Sequence, residues 1–207
     1  MNDPHAVHCM VDIETLGSAD DAPIVQLGAV LFNPWGTGSP YGSPKAAGCI
    51  SEPGSEFSWC ISPGDRTTAI DWQTLLWWMA QGQQAQQRVF GRDNQRRPLS
   101  DTLRHFESWS RSWDRPVDFW WSDMDFDLRL MRAAWKRAGL FGSPPYGAPD
   151  GPHRGVRDCR TVRAIGRDLG IEPPPFVGIE HDALDDAIHQ AIEVSNILRK
   201  IIPTPTA

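Results

Sequence analysis

Cysteine is scarce and scattered. Cys9, Cys49, Cys60 and Cys159 are the four in 207 residues, and no two form a CxxC pair. That excludes a zinc ribbon, a thioredoxin-like redox motif and a disulfide framework, and it makes free thiols in a reducing compartment the expectation. No apolar run approaches the roughly 20 residues needed to cross a bilayer. The opening segment MNDPHAVHCM has neither the basic n-region nor the apolar h-region of an export signal. A soluble, cytoplasmic protein without a membrane partner is therefore expected. Lysine is nearly absent, with 3 against 17 arginines, and the net charge of −6 excludes sequence-blind coating of duplex nucleic acid by charge alone. The arginine excess suits phosphate recognition through the planar guanidinium fork, although codon bias in a GC-rich genome would give the same ratio. There is no internal repeat.

What remains is an ordinary globular composition, 40% hydrophobic and 22% charged, in a chain long enough to bury a core unaided. One domain over residues 1–207 is expected. The apolar run Ala6 to Ile13 reads as a buried strand, and a turn over Gly17 to Pro23 leads to a second run, Ile24 to Phe32, close enough to pair as a hairpin. Residues 33–55 shift to Gly, Pro and Ser and read as a surface insertion. Glu56 to Ser62 returns as a third strand. Helical spacing follows over Ala69 to Met79 and Leu99 to Trp113, then a short strand, Val117 to Trp121, and a helix from Phe126 to Ala138 stopped by Gly139. Beyond a Pro/Gly loop over 142–155, Arg157 to Leu169 reads as helical. In the last segment Leu184, Ile188, Ala191, Val194 and Leu198 recur every three or four residues. The class is α/β.

Three acidic islands stand out. In Val11-Asp12-Ile13-Glu14-Thr15, positions i and i+2 of a strand face the same way, so Asp12 and Glu14 project together from an apolar element. Neighbouring carboxylates there are tolerable if a hard cation such as Mg²⁺ or Mn²⁺ neutralises them, or if both simply reach solvent. The second island, Ser122-Asp123-Met124-Asp125-Phe126-Asp127, closes a strand and opens a helix, where one aspartate would cap while Asp127 serves a metal. In the third, His181-Asp182-Ala183-Leu184-Asp185-Asp186, Asp182 is the expected N-cap. Asp186 there lies about 200° around the helix from Leu184, off the apolar row.

Each island is weak alone. Together, VDIETLG, DMDFD and HDALDD resemble the three motifs of the DEDDh 3′–5′ exonucleases: D-x-E, a segment ending in aromatic-Asp, and H-x₄-D. The segments DIETLGSADDAPIVQLGAV and TLLWWMAQ resemble a narrower branch, that of phage exonuclease A and the related bacterial 3′–5′ exoribonucleases. The resemblance covers about residues 8 to 198. Asp123 departs from it, standing where family members often carry Asn.

The resemblance implies an RNase H-like (DnaQ-like exonuclease) fold, with a mixed five-stranded sheet, its first three strands antiparallel, flanked by helices. It implies two Mg²⁺ or Mn²⁺ ions on Asp12, Glu14, Asp127 and Asp186, with Asp12 bridging and His181 as general base, releasing nucleoside 5′-monophosphates from a free 3′ end. Thr15 and Leu16, just past the first motif, would meet the terminal nucleotide, Leu16 as a wedge against its base. Trp77 and Trp78 point about 100° apart on a helix, so at least one packs in the core and the other offers a stacking face. Arg154, Arg157, Arg160, Arg163 and Arg167 form a run whose spacing places several on one stripe. Of these, Arg157 and Arg160 are the candidates for phosphate contact, against the alternative of a solvated face paired to acids. The leading expectation is an exonuclease on single-stranded DNA or 3′ overhangs. The alternatives are an exoribonuclease trimming RNA 3′ ends and a non-catalytic nucleic-acid-binding module. A homodimer is compatible with the tryptophan-rich composition.

Overall fold

The computed structural model describes residues 6–35, 55–62, 69–92, 94–113, 116–140, 145 and 155–202. The expected insertion lies outside the described residues over 36–54, as do Arg154 and most of the loop expected over 142–155. Six strands form one mixed sheet: β1 (His8–Thr15), β2 (Ile24–Phe32), β3 (Glu56–Ile61), β4 (Arg96–Arg97), β5 (Phe119–Ser122) and β6 (Val156–Asp158). Their order is β4-β3-β2-β1-β5-β6. The expected antiparallel β1–β2–β3 meander is present, while β4, β5 and β6 join parallel to β3, β1 and β5. The helices are α1 (Trp72–Ala80), α2 (Gln83–Phe90), α3 (Leu99–Arg111), α4 (Arg129–Arg137), α5 (Cys159–Asp168) and α6 (Ala183–Ile201). Among the described residues no helix is long and apolar enough to cross a membrane.

The sheet has six strands where five were expected. Strand β4 is two arginines, without apolar alternation to mark it. Strand β6 is three residues long, and its last two, Arg157 and Asp158, open the segment that reads as helical. Its last residue, Asp158, caps α5 by accepting from the Thr161 N–H at 2.7 Å, so the helix begins only at Cys159. Arg157 is consequently a strand residue and does not share a helical stripe with Arg160. Helix α2, rich in glutamine, carries too few apolar residues for the sequence to announce it.

Two features position the functional end. Strand β1 is buried along its whole length because β2 and β5 flank it and helices cover it, as expected of a central strand. Its parallel partner β5 brings the carboxyl end of the second island beside that of the first, the edge where open α/β sheets place their sites. Helix α6 lies across β1 and β2 and buries Ala187, Ala191, Val194 and Leu198; of the row read from the sequence, Leu184 and Ile188 are only half-buried. Its start is pressed onto Gly28 of β2. A Cβ at residue 28 would overlap the Ala183 carbonyl group and the Leu184 nitrogen. Gln26 of β2 fastens the same turn by donating to the Asp182 carboxylate at 2.9 Å and accepting from the Ala183 N–H at 3.3 Å.

The close approach at Gly28 leads to a prediction. Gly28→Ala pushes backbone against backbone and should cost about 3 kcal/mol, the upper part of the range for overpacking. For a chain of this size that lowers the melting temperature by roughly 6–12 °C. Gly82→Ala, where an added Cβ meets nothing within 4 Å, should leave the melting curve unchanged. Thermal unfolding of the two variants checks the contrast.

Candidate active site

At the carboxyl edge of the sheet a cavity of about 390 Å³ is lined by Asp12, Glu14, Asp127, His181 and Asp186. All four acids and the histidine therefore meet, though the chain separates them by up to 174 positions. Asp12 and Glu14 come from β1 and are 9% and 8% exposed. Asp127 sits in a π turn, Met124–Leu128, that leads into α4. The Asp123 carboxylate caps that turn by accepting from the Asp125 and Phe126 N–H groups, so the capping role falls to Asp123 and Asp127 turns inward, 3% exposed. The Asp127 Oδ2 in turn accepts from the Asp123 N–H at 2.8 Å. Asp158 ties the turn to β6 by accepting from the Met124 N–H.

The third island closes the site. Asp182 caps α6 as expected, accepting from the Leu184 and Asp185 N–H groups. His181, just before it, takes a left-handed backbone with φ of 65°, a conformation uncommon outside glycine and costly enough to be held by its surroundings. What holds it is visible: its N–H donates to Asp186 Oδ2 at 3.1 Å, and its ring packs edge-on against Trp77, centroids 4.7 Å apart, and more loosely against Trp78. Glu14, His181 and Asp186 offer ligand atoms that all lie within 4.8 Å of one another, a group able to hold a metal ion.

Burial and mutual repulsion shape the electrostatics. Burial, and then the Asp186 charge, pushes the Asp12 pKa up to about 8. Burial followed by the Asp12 charge raises Glu14 and Asp127 well above the ordinary carboxylate range. Asp186 is pushed to about 7, chiefly by burial. Burial lowers the pKa of His181, so its imidazole is neutral at physiological pH. Four acids destabilised as anions fit a hard divalent cation, which would reverse the local field.

The proposed substrate contacts are placed less uniformly. Trp78 is buried, donating its indole N–H to the Thr15 carbonyl at 2.9 Å, while Trp77 is 45% exposed and lines the cavity. Thr15 lines it too, its hydroxyl turned to the Gly17 carbonyl. Leu16 is otherwise: it packs with Val25, Trp78, Ala85 and Val89 in a small second core and does not line the cavity, because the irregularity between Glu14 and Thr15 turns the chain there. Arg160 stands at the cavity, its Nη2 2.7 Å from Asp123 Oδ2, so the extra acid of the second motif is matched by a base. Arg157 is nowhere near. As a strand residue its guanidinium lies over Phe119, beside a separate apolar cavity lined by His8, Trp35 and Trp121. Arg163 pairs with the buried Glu193 of α6 at 2.6 Å.

The sequence reading passed over Gln190, which also lines the cavity and donates its Nε2–H to Asp12 Oδ1 at 2.9 Å. Its position four residues after Asp186, hence on the same helix face, was the available signal.

Known proteins share this arrangement of elements. Escherichia coli exonuclease I in complex with a 5cy-dT13 oligonucleotide is similar with a TM-score of 0.62 at 17% identity, over 96% of this chain and 41% of that one. The cell-death related nuclease 4 (CRN-4) has a TM-score of 0.61 at 13% identity, over 96% of this chain and 65% of that one. A zinc-bound E. coli exonuclease I complex with single-stranded DNA gives 0.57 at 16% identity, over 96% and 41%. The chain thus spans about two fifths of the exonuclease I length and 65% of CRN-4. No curated protein matches the sequence significantly. Residues 7–198 match the family described as the 3′–5′ exoribonuclease Rv2179c-like domain. With its D-x-E, Phe-Asp and H-x₄-D motifs gathered at one cavity, the chain belongs to the family described as the 3′–5′ exoribonuclease Rv2179c-like domain.

Proposed function

We propose that residues 7–198 act as one catalytic unit that hydrolyses the terminal phosphodiester at the 3′ end of single-stranded RNA and releases nucleoside 5′-monophosphates. The observation that carries this reading is the convergence of Asp12, Glu14, Asp127, Asp186 and His181 on one cavity. The family description favours RNA over the DNA expected from the sequence. Single-stranded DNA is the second reading, favoured by the oligonucleotides held by exonuclease I.

Asp12, Glu14, Asp127 and Asp186 would hold two Mg²⁺ or Mn²⁺ ions, which when bound supply Lewis acidity to the phosphate and acidify the attacking water. The neutral His181 imidazole takes the proton from that water on a ring nitrogen. The exposed face of Trp77 stacks on the terminal base, a contact indifferent to sequence. Arg160 meets a substrate phosphate by exchanging its Asp123 partner for it. A single strand is required because a paired end would hold the terminal nucleotide away from a recessed cluster.

Matched RNA and DNA oligonucleotides, 5′-labelled and either free or blocked at the 3′ end, test polarity and sugar together. Ladders should shorten only from free 3′ ends and faster on RNA. Equal or faster loss on DNA would favour the second reading, and cutting of blocked ends would refute the polarity.

Replacing Asp12, Asp127 or Asp186 by Ala should abolish most nucleotide release. His181→Ala should bind Mn²⁺ like the parent while losing on the order of 10²–10⁴ in rate, as for a general base. Weakened Mn²⁺ binding in that variant would instead make His181 a ligand.

The raised carboxylate pKa values give a pH dependence of definite sign. Groups whose pKa is higher folded than unfolded lend stability while protonated, below about pH 4, and that stability is lost as pH rises through about 7 and 8, the values for Asp186 and Asp12. Chelator-treated protein should therefore melt at lower temperature at pH 8.5 than at pH 5.5. The rise in melting temperature on adding Mn²⁺ should be larger at pH 8.5. Differential scanning calorimetry at the two pH values, with and without Mn²⁺, reads both trends.

A further inference from the structure

A hydrogen-bonded chain runs into the acidic cluster from the helical side. The Cys159 Sγ, at the first residue of α5, donates to the Gln190 Oε1 at 3.4 Å, and the Gln190 Nε2 donates to Asp12 Oδ1 at 2.9 Å. Three elements, α5, α6 and β1, are thus joined through one amide. We propose that Gln190 is a positioning residue for Asp12, fixing the carboxylate that would hold the cation, and that the Cys159 thiol sets which way round the Gln190 amide sits.

The two ends of a glutamine amide are alike in size and opposite in character. Turned over, the amide would set its carbonyl oxygen against the Asp12 carboxylate, acceptor against acceptor. The thiol opposes that turn because it is a donor that finds an oxygen only in the observed orientation. Cys159 is 1% exposed, and burial holds its pKa high, so it keeps its proton and its donor role. The neutrality of Gln190 matters equally. A lysine or arginine there would satisfy Asp12 by neutralising it and would compete with the cation. An amide satisfies one lone pair and leaves the charge in place. Outer partners of this kind orient a ligating group, and their loss commonly weakens metal binding or activity about 10–100-fold.

This inference rests on the reading of Asp12 as a cation-holding group, and the test separates the two. Mn²⁺ affinity is measured on chelator-treated protein by electron paramagnetic resonance titration, alongside kcat and KM on a 5′-labelled oligonucleotide. Gln190→Ala and the nearly isosteric Gln190→Met, with folding verified by circular dichroism, should bind Mn²⁺ about 10–100-fold more weakly and lose kcat more than KM. Cys159→Ser, which keeps a donor, should retain the parent's affinity, whereas Cys159→Ala should lose several-fold. Parental Mn²⁺ affinity in a folded Gln190 variant overturns the positioning role, provided that Asp12→Asn binds none. If Asp12→Asn binds Mn²⁺ like the parent, it is the cation reading itself that fails. Equal affinities for Cys159→Ala and Cys159→Ser overturn the part given to the thiol.

Discussion

Four carboxylates held inside one cavity set the terms for everything around them. Placed in a low-dielectric pocket, Asp12, Glu14, Asp127 and Asp186 lose hydration and lie near other acid charges, which raises every one of their pKa values. Hydrophobic burial elsewhere must outweigh that cost. It does so through a large core beneath α6 and α4, with Trp135, Phe106, Met10 and Leu27 among its fully buried members. The strain is local, and a bound cation would relieve it.

The frame that holds the acids is made of short, specific fastenings. Asp123 caps the turn that presents Asp127, Asp158 ties that turn to β6, and Asp182 with Gln26 and Gly28 locks the start of α6 to β2. Each uses a backbone N–H or a close backbone approach, interactions with little freedom to drift. His181 is the exception. It sits ahead of the helix on a left-handed backbone, its ring resting on tryptophans and not locked by a side-chain hydrogen bond among those described. Such a perch suits the general-base role proposed for His181.

Much of this was legible beforehand, for identifiable reasons. The β1–β2 hairpin and α6 announced themselves because one face or both faces of each are buried, and burial imposes apolar patterning. The cap at Asp182 followed from the chemistry of helix starts, which also called for an aspartate cap in the second island without choosing Asp123. Where tertiary contacts did the deciding, the pattern was silent. Strand β4 is an arginine pair recruited by the edge of β3, and β6 is three residues added to β5. That addition moved Arg157 from the supposed helical stripe to a different cavity. Leu16 looked available as a wedge, but the turn after Glu14 folds it under Trp78. Arg160 and Asp123 look in sequence like unrelated charges and meet as a pair at the cavity.

The spacing of D-x-E, Phe-Asp and H-x₄-D limits the available chemistry, because it assigns carboxylates and an imidazole to strand ends and helix starts, where local geometry already directs them. Tertiary packing settled which distant neighbours Asp12 and His181 acquired, because the Gln190–Asp12 and Trp77–His181 contacts span more than a hundred residues and leave no period in the chain. Parallel pairing of β1 with β5 and the seating of α6 on Gly28 bring the islands to one edge. The same packing pairs the Gln190 amide with Asp12 and a tryptophan face with His181, pairings that the helical spacing of Gln190 and Asp186 does not by itself specify.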